Sequence, residues 1–266
     1  LSAEDEPYHR EPITYEAPYL DNLPTAPREK FAANIAAIQK LKEIEQRVAN
    51  GGSPAFEDEQ KILAQYTGWG GLSDAFDPNK SAWSNEYSQL KAALSESEYE
   101  AARSSTLTAF YTPATVIHPI YRALERFGVK GGKILEPSMG TGAFLAHGHF
   151  GSSDAKFYGV ELDSITGRIS KQLYQKANIQ VTGYENALLP DNYFDCVIGN
   201  VPFGNFQVND PQYNRLHFPI HDYFFAKSID KLRTGGIMAF ITSSGTLDKK
   251  DDRARKYIAE LSLIHI

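Results

Sequence analysis

The sequence predicts an α/β fold: a doubly wound, mostly parallel sheet preceded by an N-terminal helical region. Three observations carry that expectation. Beyond Thr108, short β-branched and aromatic runs alternate with helical stretches, the pattern of βαβ units whose sheet is covered on both faces. The first of these strands runs into a Gly-rich loop and then a helix, in "ILEPSMGTGAFL" (134–145). Before Thr108, apolar residues recur at steps of three and four instead.

Taken in order, residues 1–27 are rich in Pro, Tyr and acids without periodicity, and read as a linker or extended arm. The acidic, polar N-terminus does not fit a signal peptide, and the lack of an initiator Met leads to the expectation of a fragment of something longer. From Arg28 to Val48 the residues Phe31, Ile35, Ile38, Leu41, Ile44 and Val48 mark one face of an amphipathic helix. A second helix is expected in "AFEDEQKILAQY" and a third from Asn85 to Arg103, giving a helical region over 28–106. The sheet domain should cover 107–266. Its strands are "KILEPS", "KFYGVEL", "NIQVTG", "YFDCVIGN" and "GGIMAFITS"; its helices are "FLAHGHF", "SITGRISKQLYQKA", "HDYFFAKSIDKLR" and "DRARKYIAEL". The closing "LSLIHI" is expected to open a sixth strand, and the C-terminus to be cut.

Composition narrows the class. With 42% apolar and 23% charged residues the chain is an ordinary globular sequence, and no window holds the roughly 18–20 apolar residues of a membrane span. A net charge of −6 argues against a surface that binds nucleic acid everywhere, but allows a local basic groove. The single Cys196 excludes an internal disulfide and a Cys-based zinc cluster, and suits a reducing cytoplasm; it reads as a buried structural thiol. The histidines have no metal-ligand spacing, and "DKKDDRARK" reads as a solvated helix face. Trp69 and Trp83 are expected to anchor the helical region onto the sheet.

Gly140 and Gly142 let backbone N–H groups approach a ligand closely, but neither a Walker loop nor a full dinucleotide fingerprint is present. Glu136 ends the first strand and Glu161 the second. An acid at the latter place can accept hydrogen bonds from ribose hydroxyls at the C-terminal edge of a parallel sheet. No basic residue lies in the loop, so a nucleoside carrying positive charge fits better than a phosphate. S-adenosylmethionine, with its sulfonium and ammonium, is such a ligand.

The fourth strand delivers Asn200 to the same edge, followed by Val201, Pro202 and Phe203. By itself this is either a Pro-containing turn or a pocket. The glycine loop, Glu161 and their order along the chain favour a pocket. An exocyclic amine is a poor nucleophile while its lone pair is delocalised into the ring. Asn200 Oδ1 and the Val201 carbonyl could accept from that NH₂ and favour pyramidal nitrogen, with Phe203 stacking on the ring for about 1–3 kcal/mol. The loop "NFQVNDPQYNRLHFPIHDYF" downstream either covers the target or simply packs.

Together "TAFYTP", "EPSMGTGAFL", "GVELD" and "FDCVIGNVPFGNF" resemble the motifs of N6-adenine DNA methyltransferases, in the order used by type I modification subunits. "YTGWGGLSDAFD", "YGVELDSITGRI" and "IHDYFFAKSIDKLRTGG" extend the likeness to the methylase module of large helicase–methylase proteins of plasmids, phages and conjugative elements, over roughly residues 28–260. The resemblance implies a Rossmann-like, class I fold using S-adenosylmethionine to methylate adenine N6 in DNA, with the target base flipped out. It implies cofactor contacts at Tyr111, Thr112, Pro113, Glu136, Pro137, Gly140, Gly142, Glu161 and Leu162. It also implies one at Glu185 or Asn186, near the cofactor's adenine. Asn200, Val201, Pro202 and Phe203 would hold the target adenine, and no metal is implied. A helicase or target-recognition region elsewhere in the full-length protein is the expected partner. Val201 departs from the family's Asn-Pro-Pro-Tyr/Phe: its carbonyl remains, but the turn loses a φ constraint. The alternatives are an RNA guanine-N2 or protein glutamine methyltransferase of the same fold, or a catalytically idle cofactor- or DNA-binding module.

Overall fold

A computed structural model describes residues 11–15, 23–106, 112–148, 154–243, 248 and 250–261. The chain divides into two compact units, Leu1–Tyr111 with Asp163–Lys176 and Thr112–Leu162 with Ala177–Ile266.

The first unit is helical. Helix α1 (Pro27–Ala49) starts with Pro in its first turn, where a missing N–H costs nothing, and buries Phe31, Ile35, Ile38, Leu41 and Ile44. Val48, expected on that face, is exposed in the last turn. Helix α2 spans Glu57–Leu63. The single helix expected from Asn85 to Arg103 is instead two, α3 (Ser84–Ala93) and α4 (Glu96–Ser105). The break is a capping box: Ser95 Oγ accepts from the Glu98 N–H, and the Ser95 N–H donates to the Glu98 carboxylate at 2.8 Å. Helix α7 (Ser164–Leu173) also belongs to this unit. Its Arg168 forks onto Glu45 through Nε and Nη2, at 2.7 and 2.5 Å, and reaches Glu98 through Nη1 at 2.6 Å. Trp69 is buried edge-on against Phe76 and Tyr66, with Phe31 tilted beside it, so it builds this unit's own core. Of the N-terminal arm, Thr14 bridges Tyr174 in antiparallel fashion, and Tyr15 is buried.

The second unit is the sheet. Its strands are β1 (Lys133–Glu136), β2 (Lys156–Glu161), β3 (Asn178–Val181), β4 (Phe194–Asn200) and β5 (Leu232–Ile241). All pair in parallel, in the order β3-β2-β1-β4-β5. The helices are α5 (Ala114–Arg126), α6 (Ala143–His147), α8 (Ile220–Lys231) and α9 (Arg253–Leu261). Helix α5 escapes a periodicity reading because Pro119 interrupts it, forgoing the bond to the Thr115 carbonyl. Leu261 ends α9 and opens no strand; the rest of the expected sixth strand lies outside the described residues.

Side chains of β1 and β4 alternate between two cores, as strand geometry requires. Leu135 and Val197 pack with Tyr223 and Phe224 of α8 on one face. Ile134, Cys196 and Ile198 pack with Ile117 and Tyr121 of α5 on the other. Each fully buried aliphatic side chain there contributes about 1.5–3 kcal/mol relative to exposure. Cys196 is buried in mid-strand, and burial pushes its thiol up to about 12. No helix of the described residues is long and apolar enough to cross a membrane.

Candidate active site

In a doubly wound sheet the ligand crevice lies beyond the C-terminal strand ends where the winding reverses. Here that point falls between β1 and β4, which end at Glu136 and Asn200; β2, next to β1, ends at Glu161.

The loop after β1 folds over this edge. Gly140 and Gly142 have φ of 54° and 79°, a left-handed conformation that side chains with a Cβ disfavour. Three hydrogen bonds pin the loop to neighbouring strand ends. The Met139 N–H donates to the Val160 carbonyl at 3.0 Å, and the Gly140 N–H donates to Glu161 Oε2 at 2.8 Å. Ser138 Oγ donates to the Asn200 carbonyl at 3.0 Å. Gly159 in β2 leaves the space that Met139 fills.

Glu136 is buried, and burial first, with the nearby Glu161 charge adding, pushes its carboxyl well above the usual carboxylate range. Its Oε2 has no hydrogen-bond partner. The side chain lies over Gly199, where an added Cβ would stand 3.4 Å from Glu136 Cγ.

Asn200 is held at one end only. Its Nδ2 donates to Thr112 Oγ1 at 3.2 Å, while Oδ1 is buried with no partner. A buried acceptor left open is uncommon enough to require a reason. Val201 is buried, and its N–H donates to the Ile241 carbonyl at 3.1 Å. Pro202 is half-buried, and Phe203 is 43% exposed.

Thr112, Glu136, Gly140, Glu161 and Asn200 are thus gathered on one edge. Pro113 caps α5, Gly142 caps α6, Pro137 is buried beneath the loop, and Leu162 is exposed just past Glu161. Glu185 and Asn186 sit in a one-turn helix after β3 and pair with each other, Asn186 Nδ2 to Glu185 Oε1 at 3.0 Å. Tyr111 lies outside the described residues. Sequence reasoning passed over Ser138 and Met139, which lock the loop, and Ile241, which holds Val201. Only a strand-pairing register would have brought Ile241 to the site.

The donor set fits S-adenosylmethionine. Two carboxyl groups, Glu136 with an open buried oxygen and Glu161, flank a loop without a basic residue, and the exposed Leu162 directly follows Glu161.

Comparisons with known proteins agree. Residues 88–266 match the family described as Eco57I restriction-modification methylase. The defense against restriction protein B of Escherichia phage P1 is 28% identical over 238 residues, covering 88% of this chain and 9% of that protein. The modification methylase CviBIII of Paramecium bursaria Chlorella virus NC1A is 31% identical over 140 residues, covering 51% of this chain and 37% of the other. The chain therefore spans well under half the length of either relative. Among solved structures, a class I S-adenosylmethionine-dependent methyltransferase from Listeria monocytogenes shares the fold, with a TM-score of 0.50, at 16% identity, covering 86% of this chain and 79% of that one. The family match covers most of the chain, which belongs to the Eco57I restriction-modification methylase family and has the class I methyltransferase fold.

Proposed function

We propose that this chain transfers a methyl group to N6 of an adenine flipped out of DNA. The observation that carries the reading is the open Asn200 Oδ1. It is a buried acceptor whose amide is held from the other side by Thr112, three residues before the exposed Phe203.

Asn200 Oδ1 accepts one hydrogen of the adenine amine and the Val201 carbonyl accepts the other. The Asn200 backbone carbonyl is already taken by Ser138, which leaves the side chain for the substrate. Two acceptors on one NH₂ draw its lone pair out of conjugation and aim it. Phe203 stacks on the ring, and stacking with hydrogen bonding offsets the few kcal/mol that flipping costs. S-adenosylmethionine would supply the electrophilic methyl group and leave as the thioether S-adenosylhomocysteine, and the methylated nitrogen gives up one proton to solvent. Glu161 and the loop at Gly140 and Gly142 would hold its ribose and methionine portions, Glu136 would offset its positive charge, and Leu162 with Glu185 or Asn186 would take its adenine. Orientation and preorganised acceptors provide most of the acceleration, with no covalent enzyme intermediate. The reading calls for DNA as a partner, with a target-recognition or helicase region supplied by the longer proteins of this kind.

In the sequence, Val201 is in keeping with the alternative of an idle module. The Val201 N–H bond to Ile241 counts against that, since it gives the turn a different tether. Tritium transfer from labelled cofactor to duplex DNA, RNA and protein decides. The expected result is label in DNA, recovered as N6-methyladenine, and abolished by Asn200→Ala without loss of cofactor binding. Label in RNA or protein alone, or in none despite cofactor binding, overturns the reading.

A further inference from the structure

Lys227 on α8 is a buried cation that methyl transfer does not use. Its Nζ donates to Asp210 Oδ2 at 2.8 Å and to the Glu185 backbone carbonyl at 3.3 Å. It lies 5.0 Å from the ring of Tyr184, with Tyr213 and Tyr223 at 5.9 and 5.8 Å. Asp210 is equally fixed. It accepts from the Tyr223 hydroxyl at 2.8 Å and from the Gln212 N–H at 3.1 Å, and its own N–H donates to Asn214 Oδ1 at 2.9 Å. Burial acts to raise the Asp210 carboxyl, but the Lys227 and Tyr223 bonds bring it below the usual range.

The two partners of Lys227 belong to different parts of the site. Asp210 anchors the segment that leaves the Asn200–Phe203 turn and returns to α8. Glu185 lies in the turn after β3, on the cofactor's adenine side of the proposed site. Stability alone is a poor reason for such a pair, since buried ion pairs are often replaceable by apolar residues of similar volume at no cost. A single ammonium with fixed geometry does something an apolar residue would not: it sets the position of one segment against the other.

We propose that Lys227 is a positioning residue that couples the two ligand sites, so that filling the cofactor site orders the target loop and the reverse. The inference rests on the DNA reading above. It is tested by calorimetric titration of S-adenosylhomocysteine, alone and with an oligonucleotide duplex carrying an unpaired adenine, where flipping is cheapest. In the wild-type chain the duplex should tighten binding about fivefold or more, the lower end of ordinary coupling, with the same factor when the order is reversed. In Lys227→Met and Asp210→Asn the factor should fall to near one while each ligand still binds alone.

A variant that melts earlier yet keeps the full factor shows a merely structural role and overturns the inference. So does a wild-type chain that binds both ligands independently; the DNA reading survives either result. A wild-type chain that binds the cofactor product but no DNA fails that reading and this inference with it. Should Lys227→Met not fold, Asp210→Asn decides, since its one oxygen keeps an acceptor for Tyr223 while the charge and the acceptor for the Gln212 N–H are lost.

Discussion

The Val201 N–H donates to the Ile241 carbonyl at 3.1 Å, extending the β4–β5 ladder one bond past the Asn200–Ile241 pair. Proline has no N–H, so this bond exists only because Val stands where related motifs have Pro. The φ constraint that the turn gives up is exchanged for a tether to β5, and the Val side chain adds to the buried core. Val201→Pro is therefore expected to lower stability by about 1 kcal/mol, the net worth of one hydrogen bond. Urea unfolding should show a lower midpoint with an unchanged slope. A variant as stable as the wild type would mean that the turn is held by its side chains alone.

Glu136 makes stability depend on pH. Its carboxyl is raised in the folded chain, first by burial and then by Glu161, so the folded state holds a proton that the unfolded state releases. Where the unfolded state binds fewer protons, stability falls as pH rises. The loss begins above the usual carboxylate value of 4.5 and continues until the folded group itself ionises. Glu136→Gln keeps the shape without the charge, and should be more stable than the wild type and flatter with pH above the usual carboxylate value. A cationic ligand beside Glu136 would also favour its ionised form. Cofactor binding should then release a proton, read by calorimetry in two buffers of different ionisation enthalpy.

The sheet was legible because its strands carry period-two and continuous apolar runs that nothing else in a chain of this class produces. The candidate site was legible because its residues fall at strand ends, which the same runs locate: Glu136, Glu161 and Asn200 each close one. The misses have local causes. The break at Ser95 is a capping box within a polar helix, where weak periodicity hid a readable Ser-x-x-Glu signal. Helix α5 was masked by Pro119, although its apolar face at Ile117, Tyr121 and Leu124 is regular. The Lys227–Asp210 pair had no sequence signal, because two charges seventeen positions apart meet only after α8 packs on the sheet.

Thr112 presents a choice that one substitution resolves. The family resemblance assigns it to the cofactor, yet its hydroxyl accepts from Asn200 Nδ2 at 3.2 Å. That bond holds the amide by its nitrogen and leaves Oδ1, the acceptor proposed for the target amine, without a partner. Thr112→Val should lower the rate of methyl transfer about tenfold, equivalent to about 1.4 kcal/mol, with cofactor affinity unchanged. Thr112→Ser should restore it. A weaker cofactor affinity in Thr112→Val, with the rate preserved at saturation, would return the residue to the cofactor side.

Gly159 and Met139 set the height of the loop. An added Cβ at Gly159 would stand 2.2 Å from Met139 Sδ and 3.1 Å from its Cε, closer than atoms tolerate. The Met139 main chain is held, its N–H bonded to the Val160 carbonyl and its carbonyl accepting from Gly142, so the shift falls on its side chain, which is buried and has little room to turn. Gly159→Ala should therefore cost about 1–3 kcal/mol, as overpacking does, and displace the loop that carries Gly140. Cofactor binding should weaken along with stability. The second substitution Met139→Ala removes the clashing sulfur, so the double variant should recover part of both losses, a coupling of about 0.5–3 kcal/mol. Strict additivity of the two substitutions would show that the loop is not set by this contact.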